Sequence, residues 1–210
     1  MGLRLLSSPR VGNLILLFVL GLLTLSGCVT VDDNPLEPRS DEETGPLLKK
    51  QIEKRIEGLK YQRGVALLDS LNWLILYGDS AIPQLLEALR SPDPRTRSYA
   101  AYVLGEIGNE EVVSTIREVL DQETHKLVKY EMAASLVTLG DWGQIGLLIS
   151  GLEEDARLFR FKCFEVLRKN LNLTLGYDPE GPEKERIASV SKWKAWWERN
   201  QKNYTPILKE

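Results

Sequence analysis

Arg97-Ser-Tyr-Ala-Ala-Tyr-Val-Leu-Gly-Glu-Ile-Gly108 and Lys129-Tyr-Glu-Met-Ala-Ala-Ser-Leu-Val-Thr-Leu-Gly140 are one phrase written twice, 32 residues apart. The shift pairs Ala101 with Ala133, Leu104 with Leu136 and Ile107 with Leu139. Each copy opens on a basic residue, carries apolar or small residues at helical spacing and closes on Gly, which readily takes the left-handed conformation that ends a helix. Each copy therefore reads as a helix with one apolar face. A second amphipathic run precedes each, Ala81–Arg90 and Glu111–Leu120. Two helices per period of about 30–35 residues predict an all-α solenoid.

Asp79-Ser-Ala-Ile-Pro-Gln-Leu-Leu-Glu-Ala-Leu89, Ser91-Pro-Asp-Pro-Arg-Thr-Arg97 and Ala100-Ala-Tyr-Val-Leu-Gly-Glu-Ile-Gly108 together resemble the HEAT repeat, in the short, PBS-lyase-type form found in bacteria. The likeness is good over Asp79–Gly140 and looser on either side. It implies a right-handed α-α superhelix and a scaffold that binds macromolecules without catalysing. In HEAT repeats the Arg in the place of Arg97 commonly braces the turn between repeats through an acidic residue, and Asp93 is the nearby candidate. The likeness thus implies structural roles for Asp93, Arg97, Lys129 and Arg160.

The totals narrow the function. A length of 210 residues suits one domain with ample core. The formal net charge is −3, and removing residues 1–27, which hold Arg4 and Arg10 and no acid, leaves about −5. That sign disfavours nucleic acid, whose phosphates are met by clustered Lys and Arg. Two cysteines, Cys28 and Cys163, give no disulfide framework, and the single His125 cannot build a histidine metal cluster.

Residues 1–27 read as a leader. Arg4 and Arg10 give a basic start, Val11–Leu25 is mostly apolar, and Leu25-Ser-Gly-Cys28 follows directly. The apolar run is shorter than the roughly 20 residues of a spanning helix. Leu-Ser-Gly-Cys resembles the bacterial lipobox, which implies that Cys28 is acylated and becomes the first residue of the mature chain. An ordinary signal peptide with an accidental Cys is the plainer alternative. Val29 after the Cys resembles the pattern sent on to the outer membrane, so the likeness implies an exported chain anchored by lipid in the cell envelope. Residues 28–46 combine six carboxylates with Pro35, Pro38 and Pro46 and have little to bury, so they read as a disordered tether spanning on the order of 25 Å.

Repeats are expected over residues 47–172. Leu48, Ile52, Ile56 and Leu59 form one face of a capping helix. Val65–Gly78 reads as the second helix of a degenerate first repeat, its apolar character explained by cover on both sides; a strand through Trp73–Tyr77 is the alternative. Asp79 or Ser80 can cap the next helix, with Pro83 in its first turn. Trp142–Leu152 and Leu158–Leu167 give a weaker third pair. Cys163 aligns with Ala100 and Met132 and should be a core thiol. His125 falls in the polar turn Asp121–Lys126 and reads as solvated.

Residues 173–210 hold Gly176-Tyr-Asp-Pro-Glu-Gly-Pro182, a turn-rich break, then a last helix over Glu183–Asn200 with Trp193, Trp196 and Trp197. The ending resembles one seen in bacterial HEAT lipoproteins. It reads as a cap that hides the solenoid's last apolar face. A carbohydrate or peptidoglycan platform made by the three Trp is the competing account.

Catalytic patterns are missing: no phosphate loop, no His-Glu pairs, no Ser elbow and no Cys-x-x-Cys occur. Bilin lyases present a tetrapyrrole on HEAT arrays, and a chromophore-handling role stays open. A hydroxylase family that holds two irons with His-Glu pairs is excluded by the single histidine. The reading is therefore non-catalytic, with no cofactor and no metal. In HEAT arrays the second helices line the concave side, and the residues there that point away from the core are Tyr99, Tyr102, Glu106, Glu131, Ser135, Thr138, Lys162, Glu165 and Lys169. Two Tyr beside mixed charge suit a protein partner. Ordinary solvated residues are the plainer account of the same set. The function expected is a membrane-tethered scaffold for protein partners.

Overall fold

Proline and capping chemistry start the helices of the central repeat, and glycine stops them. Asp93 is the N-cap of the helix that begins at Pro94, and its Oδ2 accepts from the Thr96 N–H at 2.7 Å and from Thr96 Oγ1 at 2.9 Å. Gly108, at φ +80°, ends that helix, and Gly140, at φ +88°, follows the equivalent helix one repeat later. A side chain at either glycine would strain the left-handed backbone.

A computed structural model describes residues 45–204. The expected leader, Cys28 and the expected tether up to residue 44 lie outside the described residues. Nine α-helices occur within them: α1 (Pro46–Gly58), α2 (Gly64–Leu76), α3 (Ile82–Ala88), α4 (Pro94–Ile107), α5 (Val113–Gln122), α6 (Lys126–Thr138), α7 (Ile145–Gly151), α8 (Arg157–Leu171) and α9 (Glu183–Asn200). The described residues contain no strand, so Trp73–Tyr77 is helix and turn. Pro46, assigned to the tether from sequence, is the first residue of α1.

The fold is an α-solenoid. Helices pair as α1 with α2, α3 with α4, α5 with α6 and α7 with α8, while α2 packs on α4, α4 on α6 and α6 on α8 to make a continuous second-helix row. Each first helix from α3 onward is entered through a short 3-10 turn, at Gly78–Ala81, Glu110–Val112 and Trp142–Gln144. These turns start 32 residues apart, the same spacing as the repeat. Neither Asp79 nor Ser80 caps α3, whose N-cap is Ala81 with no side-chain bond. Asp79 instead accepts from Asn109 Nδ2 at 3.0 Å, tying equivalent turns of successive repeats.

Two apolar clusters meet at α6. Val128, Met132 and Leu136 join the cluster of α1–α5, whereas Tyr130, Ala133, Ala134 and Val137 join the cluster of α7–α9. Nine of the thirteen residues of α6 are buried, so both of its sides are covered. That role had been expected of α2. Instead Val65, Leu68 and Leu76 of α2 stand exposed, because α2 ends the second-helix row and has a neighbour, α4, on one side only.

The turn-rich segment is pinned down. Tyr177 Oη donates to the Leu152 carbonyl at 2.6 Å and its ring lies 5.3 Å from that of Phe164. Arg160 Nε donates to Pro179 O at 3.1 Å, and Ser189 Oγ to Gly176 O at 2.9 Å. Helix α9 then packs against α7, where a further repeat would place its first helix.

Candidate functional site

The second-helix row leaves an open groove of about 350 Å³ across α4, α6 and α8. Tyr102, Glu106, Glu131, Ser135, Thr138, Lys162 and Glu165, chosen from sequence by helical angle, all line it. Tyr99 does not. Its ring packs on the first apolar cluster and its Oη accepts from Arg95 Nη2 at 3.2 Å. Lys169 also lies outside the lining.

Five lining residues were not chosen from the sequence: Gly105, Ala134 and Val166, and the two that stand most open, Leu158, 61% exposed, and Phe161, 49% exposed. Apolar residues in a helix are assigned to the core by default. The register offered no consistent signal: two phrases earlier Leu158 and Phe161 align with Arg95 and Ser98, but one phrase earlier with Leu127 and Tyr130.

The groove contains a part-buried ion pair. Glu131 accepts from Lys162 Nζ at 2.5 Å and lies 3.4 Å from Ser98 Oγ, so one charge bridges α6 to α8 and a hydroxyl bridges it to α4. Burial, with the carboxylates of Glu106 and Glu131 nearby, raises the Tyr102 hydroxyl above its ordinary value, keeping it a neutral donor at physiological pH. Arg168 holds the Glu165 carboxyl below its ordinary value through bonds of 2.6 and 3.1 Å. The groove thus offers two exposed apolar anchors, a Tyr hydroxyl and carboxylates. Residues of these types can serve recognition.

The brace residues sit elsewhere, and one pairing differs from expectation. Arg97 is paired with Glu123, not with Asp93: Nε and Nη2 reach Oε2 and Oε1 at 2.7 and 3.0 Å, and Nη1 donates to the carbonyls of Ser91 and Pro92. Asp93 is committed to capping α4, and Glu123 comes from the next inter-helix turn. Arg160 repeats the backbone half of the pattern, with Nη1 on the carbonyls of Glu154 and Asp155. The Lys129 side chain makes no ion pair or hydrogen bond among the described residues.

Trp193 is fully buried among Cys163, Phe164, Leu167 and Val190, so it cannot belong to a three-Trp platform. Trp196 and Trp197 are half-buried against the same cluster and gather with Trp142 around Tyr204, with centroids 5.6–5.9 Å from its ring. Burial pushes the Cys163 thiol up to about 12. His125 is exposed at the start of α6. Among the described residues no group of three His, Cys, Asp or Glu stands where it could hold a metal ion, and no helix is long and apolar enough to cross a membrane.

Residues 81–168 match the family of HEAT repeats. The HEAT segment runs from the turn before α3 into α8 and contains the whole groove lining. Among curated proteins the chain is similar to deoxyhypusine hydroxylase of Eremothecium gossypii, 34% identical over 76 residues, which are 36% of this chain and 24% of the relative. The chain thus spans about a quarter of the curated relative it matches. Among solved structures it is similar to the complex of CpcE and CpcF of phycocyanin lyase from Nostoc sp. PCC7120, with a TM-score of 0.47 and 16% identity over 70% of this chain and 99% of that one.

Proposed function

We propose that this protein is a non-catalytic scaffold that holds a protein partner in the α4/α6/α8 groove, tethered to a bacterial membrane at the cell envelope through a lipid on Cys28. The observation that carries the scaffold reading is the exposure of Leu158 and Phe161 in an open groove that already contains Tyr102 and the Glu131–Lys162 pair. Exposed apolar side chains ringed by polar ones mark contact surfaces. HEAT repeats spread such a surface over several second helices, which favours an extended peptide or a helix over a small molecule. The tethering reading rests on the sequence of residues 1–28.

A photo-crosslinking residue at position 161 tests the groove in native membranes, with position 118 on the exposed side of α5 as control. A discrete adduct is expected from position 161 only, reduced about tenfold by Leu158→Asp, as befits loss of a buried apolar anchor. Equal labelling from both positions would remove the groove from consideration. Mass analysis of the mature N-terminus tests the tether, and an unmodified Cys28 would count against it.

A further inference from the structure

Of the eight large apolar side chains that stand exposed among the described residues, five lie on the first helix pair: Leu47, Tyr61, Val65, Leu68 and Leu76. Tyr61 and Val65 are 75% and 74% exposed. At 100° per residue Val65, Leu68 and Leu76 share the side of α2 turned away from the buried Leu71 and Leu74. The same pair of helices and their turn carry Lys49, Lys50, Lys54, Arg55, Lys60 and Arg63 against Glu53, Glu57 and Asp69. That is a surplus of three positive charges in a chain whose net is −3. Charge and apolar surface touch: Lys60 Nζ stands 4.8 Å from the Tyr61 ring centre, and the Arg55 guanidinium 4.3 Å from that of Trp73 on α2.

An exposed aliphatic strip with a Tyr and a basic margin is the composition of a surface that rests in the headgroup region of an anionic bilayer. A protein partner buries such a strip equally well, but it gives no reason for the cations to gather on this pair of helices in an acidic chain. The position in the chain gives a second reason. α1 follows directly on residues 28–46, which the sequence reads as a disordered tether, and a link of that length anchored at Cys28 would keep α1 within about 25 Å of the lipid, raising the local concentration of headgroups.

We infer that the α1/α2 end of the solenoid docks on an anionic membrane surface, with Tyr61, Val65 and Leu68 at the headgroup boundary and Lys54, Lys60 and Arg63 on lipid phosphates. This rests on the tethering reading of Cys28 for its proximity argument, not for the chemistry of the face.

Hydroxyl-radical footprinting read by mass spectrometry tests it on the full chain purified from its native membrane. The chain is placed in vesicles of phosphatidylethanolamine with phosphatidylglycerol, or in neutral phosphatidylcholine vesicles. Oxidation of Tyr61, Val65 and Leu68 is expected to fall at least about threefold in the anionic vesicles, while Leu158 and Phe161 stay unchanged. High salt, or Lys54→Gln with Lys60→Gln and Arg63→Gln, should restore the reactivity. Equal reactivity of the strip in both vesicles overturns the inference. High reactivity in both leaves the strip in water, and low reactivity in both means that the acidic segment of the chain or a second copy covers it. The mass of the N-terminal peptide reports the tether separately. An unacylated Cys28 with a protected strip removes the tether and upholds the docking face, and an acylated Cys28 with a reactive strip does the reverse.

Discussion

Gly105 of α4 lies against Ser135 of α6 so closely that a Cβ on the glycine would meet the serine Cβ at 2.9 Å and its Cα at 3.0 Å. Ser135 Oγ donates across the same contact to the Ala101 carbonyl at 2.6 Å. Gly in a helix interior normally gains about 1 kcal/mol on replacement by Ala. Here the sign should reverse. Overpacking typically costs about 1–3 kcal/mol, so Gly105→Ala is expected to lower the thermal midpoint by a few degrees in a melt followed by circular dichroism. A raised midpoint would show that α4 and α6 can separate freely.

The Arg97–Glu123 pair sets an acid limit on stability. Burial pushes the Glu123 carboxyl up, but the Arg97 hydrogen bonds and the N–H groups of His125 and Thr124 outweigh it and leave the folded value below the ordinary 4.5. The folded state therefore binds this proton less readily than the unfolded chain. The stabilisation is full above about 4.5 and is lost as the pH falls through the folded value. Glu123→Gln should cost roughly 2 kcal/mol at neutral pH and nothing near pH 2. Urea midpoints measured across that range check it, and a constant difference would disprove the linkage.

Gly151 and Cys163 should couple. A Cβ at Gly151 would overlap the Cys163 sulfur and stand 3.0 Å from the Tyr130 ring. Gly151→Ala alone is expected to destabilise by about 1–3 kcal/mol, and Cys163→Ala, which removes the sulfur, should recover part of that loss. A double-mutant cycle with an interaction energy near zero would show that the two do not meet.

The Cys163 thiol should be inert in the folded protein, being buried and raised to about 12. In a Cys28→Ser background, a maleimide at neutral pH is expected to leave Cys163 unmodified until denaturant is added. Rapid native labelling would mean that α7 and α8 open locally.

Trp193 divides packing from polarity. Trp193→Ala should cost roughly 3–5 kcal/mol, whereas Trp193→Phe keeps most of the ring and removes a buried Nε1 that has no hydrogen-bond partner. The Phe variant should lose under about 2 kcal/mol. Chemical denaturation of both variants checks the order.

The helix pairs and their period were legible because Gly108, Gly140, Pro83 and Pro94 punctuate them, and such signals act within a few residues. Relations between repeats were harder to read. Asp93 seemed the partner of Arg97 because it is near in sequence, while the true partner, Glu123, lies 26 residues on and is reached only when the repeats stack. Apolar character in α2 suggests cover on two sides, yet only stacking order decides that, and it gives the place to α6. The polar half of the groove followed from helical angles. Its apolar half, Leu158 and Phe161, did not, because composition alone cannot tell a core Phe from one left at the surface for contact.

Sharing one wall between both apolar clusters leaves the rod without a seam. Were the chain drawn out from its two ends in an optical trap, losing either half would strip α6 of one flank and the rest should follow. The trace would then show a single rip where a beaded string of repeats would give a staircase.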